Sequence, residues 1–204
     1  MNNASASRPL ILVTIGPPGG GKSFFARQFT ETFGAPLISF DEIRYELFND
    51  VTYTPDEDII VARVAGLQLR ELMKTKKTIL IDGGHNPKVS RVELAKVARA
   101  NGYGVMNIWV QTDERTARVR STRRGRGKHD QFNRALSDAE FESQAKKFTP
   151  PSKFEPYVVI SGRHTYNSQA RIVLKKMIPE NETTTETKPA TTATDPGRRS
   201  ISIN

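Results

Sequence analysis

The run Gly16-Pro17-Pro18-Gly19-Gly20-Gly21-Lys22-Ser23 fits G-x-x-x-x-G-K-[S/T] and lies between the apolar stretch Leu10–Ile15 and a segment with helical periodicity. In a strand-loop-helix setting this pattern has a physical mechanism. The loop of Gly16, Pro18, Gly19, Gly20 and Gly21 turns backbone N–H groups inward around a β-phosphate, and the following helix aims its positive N-terminus at the same place. Lys22 adds a point charge between β- and γ-phosphates, and Ser23 offers a hydroxyl to Mg²⁺. The bland alternative is a Gly-rich turn with an incidental lysine, which the flanking strand and helix signals argue against.

Short apolar runs alternate with longer amphipathic ones. Strands are expected at Leu10–Ile15, Pro36–Phe40, Thr78–Ile81, Val105–Val110 and Tyr157–Ile160. Helices are expected at about Lys22–Phe33, Asp41–Phe48, Pro55–Lys74, Pro87–Asn101, Asp113–Arg123, Ser137–Lys147 and Asn167–Met177. Such β/α alternation implies an α/β fold: a mainly parallel five-stranded sheet in a three-layer α/β/α arrangement, with ligands at the carboxyl ends of the strands. Residues 1–8 read as a loose leader and 9–179 as one domain. The Thr/Glu/Pro-rich stretch 180–204 has almost nothing to bury and reads as a disordered tail. That tail carries four acids against three bases, a net of −1, so with +9 for the whole chain the rest carries +10. A basic domain favours an anionic partner, whether nucleotide, nucleic acid or another phosphorylated molecule.

Outside the loop, three places carry chemistry. Asp82 ends the third apolar run, where a carboxylate suits Mg²⁺ support or polarisation of the Ser23 hydroxyl; a strand-ending turn aspartate is the alternative. Asp41 follows the second run, with Arg44 one helical turn later. Asp41 there is placed to accept a proton from an attacking hydroxyl and Arg44 to grip phosphate, unless Asp41 merely caps a helix and Arg44 is solvated. The densest positive segment runs Arg115, Arg118, Arg120, Arg123, Arg124, Arg126, Lys128, interrupted by Gly125 and Gly127. It reads as a basic lid over phosphates, as a nucleic-acid surface, or as a solvated helix end. His85, His129 and His164 lack ligand spacing, and there is no cysteine to complete a zinc site. Phe24, Phe25, Phe29 and Trp109 read as packing residues, and Ser161-Gly162-Arg163 as a turn that could line a nucleoside.

Taken together, Gly16–Ser23, Asp41-x-x-Arg44, Asp82-x-x-x-Asn86-Pro87 and Arg120-x-x-x-Arg124-Gly125 resemble the P-loop kinases around the kinase domain of bacteriophage-type polynucleotide 5′-hydroxyl kinase. The resemblance spans roughly Leu10 to Met177. It implies an adenylate-kinase-like architecture with ATP and Mg²⁺, Asp41 as general base, Arg44 on the acceptor phosphate, and Arg124 on the transferring phosphoryl group. Arg120 joins Lys22 on the nucleotide. Gly83 and Gly84 depart from that pattern, leaving a gap or flexible turn where substrate contacts are expected. No Asp-x-Asp phosphatase motif follows, so a bifunctional end-healing enzyme is not expected. Zeta-toxin kinases of nucleotide sugars and small-metabolite kinases share the same plan, so the acceptor stays open between DNA or RNA 5′ ends and a small molecule. A nucleic-acid-binding ATPase switch is the rival from another class. Without cysteine, a signal-length apolar segment or a bilayer-length run, the chain is expected to be soluble and cytoplasmic, with no membrane partner.

Overall fold

The computed structural model describes residues 8–123, 132 and 134–178. Arg124, the rest of the lid sequence to Gln131, the tail, and all of the leader except Arg8 lie outside the described residues.

Strands β1 (Leu10–Ile15), β2 (Leu37–Ser39), β3 (Ile79–Asp82), β4 (Gly104–Gln111) and β5 (Tyr157–Ser161) form one sheet in the order β2-β3-β1-β4-β5, with every neighbouring pair parallel. Between them run α1 (Lys22–Phe33), α2 (Phe40–Leu47), α3 (Pro55–Met73), α4 (Lys88–Ala100), α5 (Glu114–Thr122) and α6 (Asp138–Lys146), and α7 (Tyr166–Met177) closes the described chain. Pleating divides the strand residues between two cores. Ile11, Val13, Ile15, Ile79 and Ile81 pack with Val61, Leu69 and Met73 of α3 and Leu94 of α4. Leu12, Leu80, Ile108 and Ile160 pack with Phe25 and Phe29 of α1 and Val173 of α7. Both faces of the sheet are thus covered, as an all-parallel sheet requires.

Side-chain caps fix where the helices start. The hydroxyls of Ser39, Thr54 and Ser137 accept backbone N–H groups at the starts of α2, α3 and α6, and Pro55 takes the first helical turn of α3. Helix α2 therefore begins one residue earlier than expected, and its cap is Ser39 rather than Asp41. The signal was in the sequence as Ser39-x-x-Glu42, which has capping-box spacing.

Because β1 sits between β3 and β4, the chain leaves β1 toward one edge of the sheet and later returns to build the other. The crevice at that switch point, outside the carboxyl ends of the strands, gathers the loop after β1, the start of α2, Asp82, and the turn after β5.

Candidate nucleotide-binding and transfer site

A cleft of about 630 Å³ opens at this crevice. Of the residues singled out from sequence, Pro18, Gly19, Gly21, Lys22, Ser23, Asp41, Asp82 and Arg120 line it together. Gly16 and Gly20 lie behind the lining. Gly19 and Gly21 have φ of 71° and 101°, in the left-handed region. A Cβ on Gly19 would collide with the Ala117 carbonyl and Ser121 hydroxyl of α5, so the loop can lie against that helix only as glycine. The α1 N-cap, Gly21, supplies no side-chain cap, which leaves the first-turn amides without that competitor for a phosphate. The Lys22 ammonium donates to the carbonyls of Gly16 at 3.1 Å and Pro17 at 2.8 Å, at the mouth of the same loop.

Both flanks clamp the loop. On the β3 side, the Asn86 amide grips the backbone of Gly16. On the β4 side, the Thr112 hydroxyl donates to the Gly20 carbonyl at 3.0 Å, and Gly162 packs so closely on that carbonyl that it has no room for a Cβ. Neither Asn86 nor Thr112 announces this role in sequence, although Asn86 falls within the family-like motif.

Asp82 is buried. In the β1/β3 register it stands opposite Thr14, whose hydroxyl donates to Asp82 Oδ1 at 2.6 Å. That contact orients one carboxylate oxygen. Glu42, on the first turn of α2, has its carboxyl pushed up by burial and by the neighbouring charges of Asp82 and Glu46, with Arg27 opposing. Among the described residues no cluster of three or more His, Cys, Asp or Glu could hold a metal. The donor set of Ser23 and Asp82 still fits Mg²⁺, which commonly takes one or two protein oxygens and completes its shell with phosphate and water.

Arg44 departs from the expected geometry. It is 5% exposed and does not line the cleft; its guanidinium donates to Glu57 at 2.8 Å and Asp58 at 2.5 Å of α3 and lies 5.0 Å from the Tyr53 ring centre. Tyr53 does line the cleft, and Arg134, also a lining residue, lies 5.1 Å from the centre of the same ring while pairing with Glu140. The arginine-rich segment likewise divides by role. Arg118 bridges Glu114, Asp138 and Glu142 and covers Phe141, tying α5 to α6. Arg120 crosses to the Gly162 carbonyl at 3.0 Å. The gap expected at Gly83-Gly84 is filled by the Phe40 ring, which leaves no room for a Cβ on Gly84. Phe24, expected in the core, is 56% exposed and lines the cleft.

A family model described as an AAA domain matches residues 11–151. The chain belongs to the AAA domain family. Fold and family together make it a P-loop kinase-like domain. It is 26% identical over 133 residues to an adenylate kinase of Kocuria rhizophila, covering 58% of this chain and 71% of the relative. In structure the AAA domain is similar to a sugar kinase from Janibacter sp. HTCC2649, with a TM-score of 0.62 and 13% identity over 83% of this chain and 94% of that one. A chain of the Pnkp1/Rnl/Hen1 RNA repair complex matches with a TM-score of 0.57 and 19% identity, over 71% of this chain and 45% of the other. At these identities the structural matches speak to the fold. No helix of the described residues is long and apolar enough to cross a membrane.

One residue lining the cleft gave no sequence signal at all. Gln169, on the first turn of α7, is 2% exposed; its Nε2 donates to the Ser161 carbonyl at 2.7 Å, while its Oε1 is buried without a hydrogen-bond partner among the described residues. An unmet buried acceptor costs about 1–3 kcal/mol.

Proposed function

We propose that this protein is a kinase, formed by residues 9–179, that transfers the γ-phosphate of ATP to a hydroxyl, and that the acceptor is a polynucleotide 5′-hydroxyl. The observation that carries the reading is that Asp41 lines the same cleft as Lys22, Ser23 and Asp82 while Ser39, not Asp41, caps α2. Asp41 is therefore a carboxylate of the cleft wall rather than the N-cap of α2. A phosphate-binding switch has no use for an acceptor base there.

In this reading the loop amides and Lys22 hold the β- and γ-phosphates, and Arg120 closes the nucleotide side. The acceptor oxygen forms a bond to γ-phosphorus as the bond from that phosphorus to the β,γ-bridging oxygen breaks. ADP leaves, and the acceptor proton passes to Asp41. Ser23 and Asp82 would hold Mg²⁺, which when bound neutralises charge on the phosphate oxygens. Arg124 supplies a further lid cation to the transferring group. Arg44 acts through Asp41: anchored to Glu57 and Asp58, it sets α2 against α3 and so fixes the acceptor wall. Arg134, which lines the cleft, is the acceptor-side cation. The basic balance of the domain and its likeness to a chain of an RNA repair complex support a nucleic-acid acceptor. A cytoplasmic location fits a reaction whose phosphate donor is ATP.

The test is transfer of labelled γ-phosphate from ATP with Mg²⁺ to parallel acceptors: 5′-hydroxyl DNA and RNA, nucleosides, a nucleotide sugar and a metabolite pool. Label on 5′-hydroxyl ends is the expected result. Label on a small molecule alone keeps the chemistry and replaces the acceptor, and phosphate release with no labelled acceptor replaces the kinase by an ATPase switch.

A further inference from the structure

The cleft extends past the phosphate loop to a wall made by Gly162, Arg163, His164 and Gln169. Gly162 packs directly on the Gly20 carbonyl, so this wall abuts the loop that would hold the phosphates. A nucleoside triphosphate anchored at Gly19–Ser23 reaches the wall with its nucleoside end. Arg120, crossing from α5 to the Gly162 carbonyl, sets a flat guanidinium at the same end, suited to the face of a heterocycle.

The Gln169 amide has one possible orientation. Its nitrogen donates to the Ser161 carbonyl, and a flip would bring carbonyl against carbonyl. Its oxygen is therefore a fixed acceptor, buried and without a partner among the described residues. We propose that Gln169 reads the nucleobase: Oε1 accepts a hydrogen bond from the exocyclic 6-amino group of adenine and so selects 6-aminopurine over 6-oxopurine nucleotides. Guanine would turn its O6, itself an acceptor, toward the same oxygen. Because Oε1 is closed to water, a base reaches it only after a local rearrangement, and Arg163 and His164, exposed and lining the same cleft, are the side chains with room to move. The inference rests on the nucleotide reading of the cleft and is independent of which acceptor is phosphorylated.

The experiment is equilibrium calorimetry of the full chain with Mg²⁺ and ATP, GTP or purine riboside triphosphate, which lacks the 6-substituent, for the wild type and for Gln169→Met. The wild type is expected to bind ATP about tenfold to a hundredfold more tightly than GTP, with purine riboside triphosphate between them. In Gln169→Met that preference should collapse to within about threefold. Equal binding of all three by the wild type overturns the proposal, and this comparison stands even if the variant fails to fold. Equal weakening of ATP and GTP in Gln169→Met also overturns it, because Gln169 would then serve only to hold the Ser161 carbonyl. Absence of binding by any triphosphate removes the nucleotide reading itself, and the inference with it.

Discussion

Asn86 holds Gly16 by both of its backbone polar groups: Oδ1 accepts the Gly16 N–H and Nδ2 donates to the Gly16 carbonyl, each at 2.9 Å. Gly16 needs such a clamp. Its φ is 137°, and a Cβ would stand 2.5 Å from the Val110 carbonyl. Asn86 is fixed in turn, since Arg91 donates to its carbonyl at 2.7 Å and forks onto Glu155 ahead of β5. The start of the phosphate loop is thus tied to segments distant in sequence.

Replacing Asn86 with Ala removes both bonds and leaves the Gly16 groups without them. Because the loop's amide directions depend on how it leaves β1, we expect ATP affinity to fall about tenfold, equivalent to about 1.4 kcal/mol. Asn86→Asp should be worse, because it sets a carboxylate against the Gly16 carbonyl and near bound phosphates. Isothermal titration with ATP checks both, and unchanged affinity in Asn86→Ala would mean the loop is shaped without this clamp.

Arg44 and Glu57 form an ion pair at 2.8 Å, with side chains 6% and 8% exposed. Deleting one member of such a pair leaves the other buried and uncompensated, at a cost of about 3–5 kcal/mol. Glu57→Gln and Arg44→Ala should therefore both lower thermal stability. Under the geometry here, Arg44→Ala should leave the acceptor KM of the folded fraction within about threefold of wild type, the remaining loss coming through the position of Asp41. A large rise in acceptor KM without any loss of stability would instead place Arg44 directly on the acceptor.

Acid should weaken the fold through the same cluster. Burial pushes the Glu57 carboxyl up, but hydrogen bonds from Thr52, Arg44 and the Tyr53 amide outweigh it and hold it at about 2. Arg134 and the Ser137 amide likewise lower Glu140 to about 2. A carboxyl whose folded pKa lies below its unfolded value takes up more protons when unfolded. Its contribution is complete above about pH 4.5 and is lost as pH falls toward 2. Urea denaturation at pH 6 and pH 3 should show the drop, and Glu57→Gln should shrink the difference between the two.

Legibility followed the physics of each signal. The strands and helices could be read because an all-parallel sheet writes each buried strand as a short apolar run and each covering helix as an amphipathic one. The boundaries of α1 and β1 agree with the sequence reading, while α2 shifted by a residue because the Ser39 cap competes with Asp41 for the same role. Lys22, Ser23, Asp41 and Asp82 could be expected together because a phosphate loop fixes what must stand near it, and the four line one cleft. Arg44 was harder. Its spacing from Asp41 suggests a shared face toward substrate, and only the long-range pairing with Glu57 and Asp58, thirteen and fourteen residues on, turns it into α3. Gln169 had no local signature, since its partner is a backbone carbonyl eight residues back and its significance lies in the oxygen left over.

Asp41 and Lys22 line one cleft but should fail differently. Lys22 contacts charge that is present in the bound nucleotide and grows during transfer, so Lys22→Ala should weaken ATP binding and cut transfer by about a thousandfold or more. In the proposed reaction Asp41 faces the acceptor and matters only when a proton must leave it. Asp41→Asn keeps the size of the side chain and removes the base, so ATP should bind within about twofold of wild type while transfer to a hydroxyl falls by about a hundredfold to ten-thousandfold. Single-turnover transfer with enzyme in excess, alongside ATP titration of the same preparations, separates the two patterns. Full transfer by Asp41→Asn would leave the carboxylate without a chemical role and make it only part of the cleft wall. Selective loss of transfer would identify Asp41 as the group that makes this phosphate-binding fold a kinase.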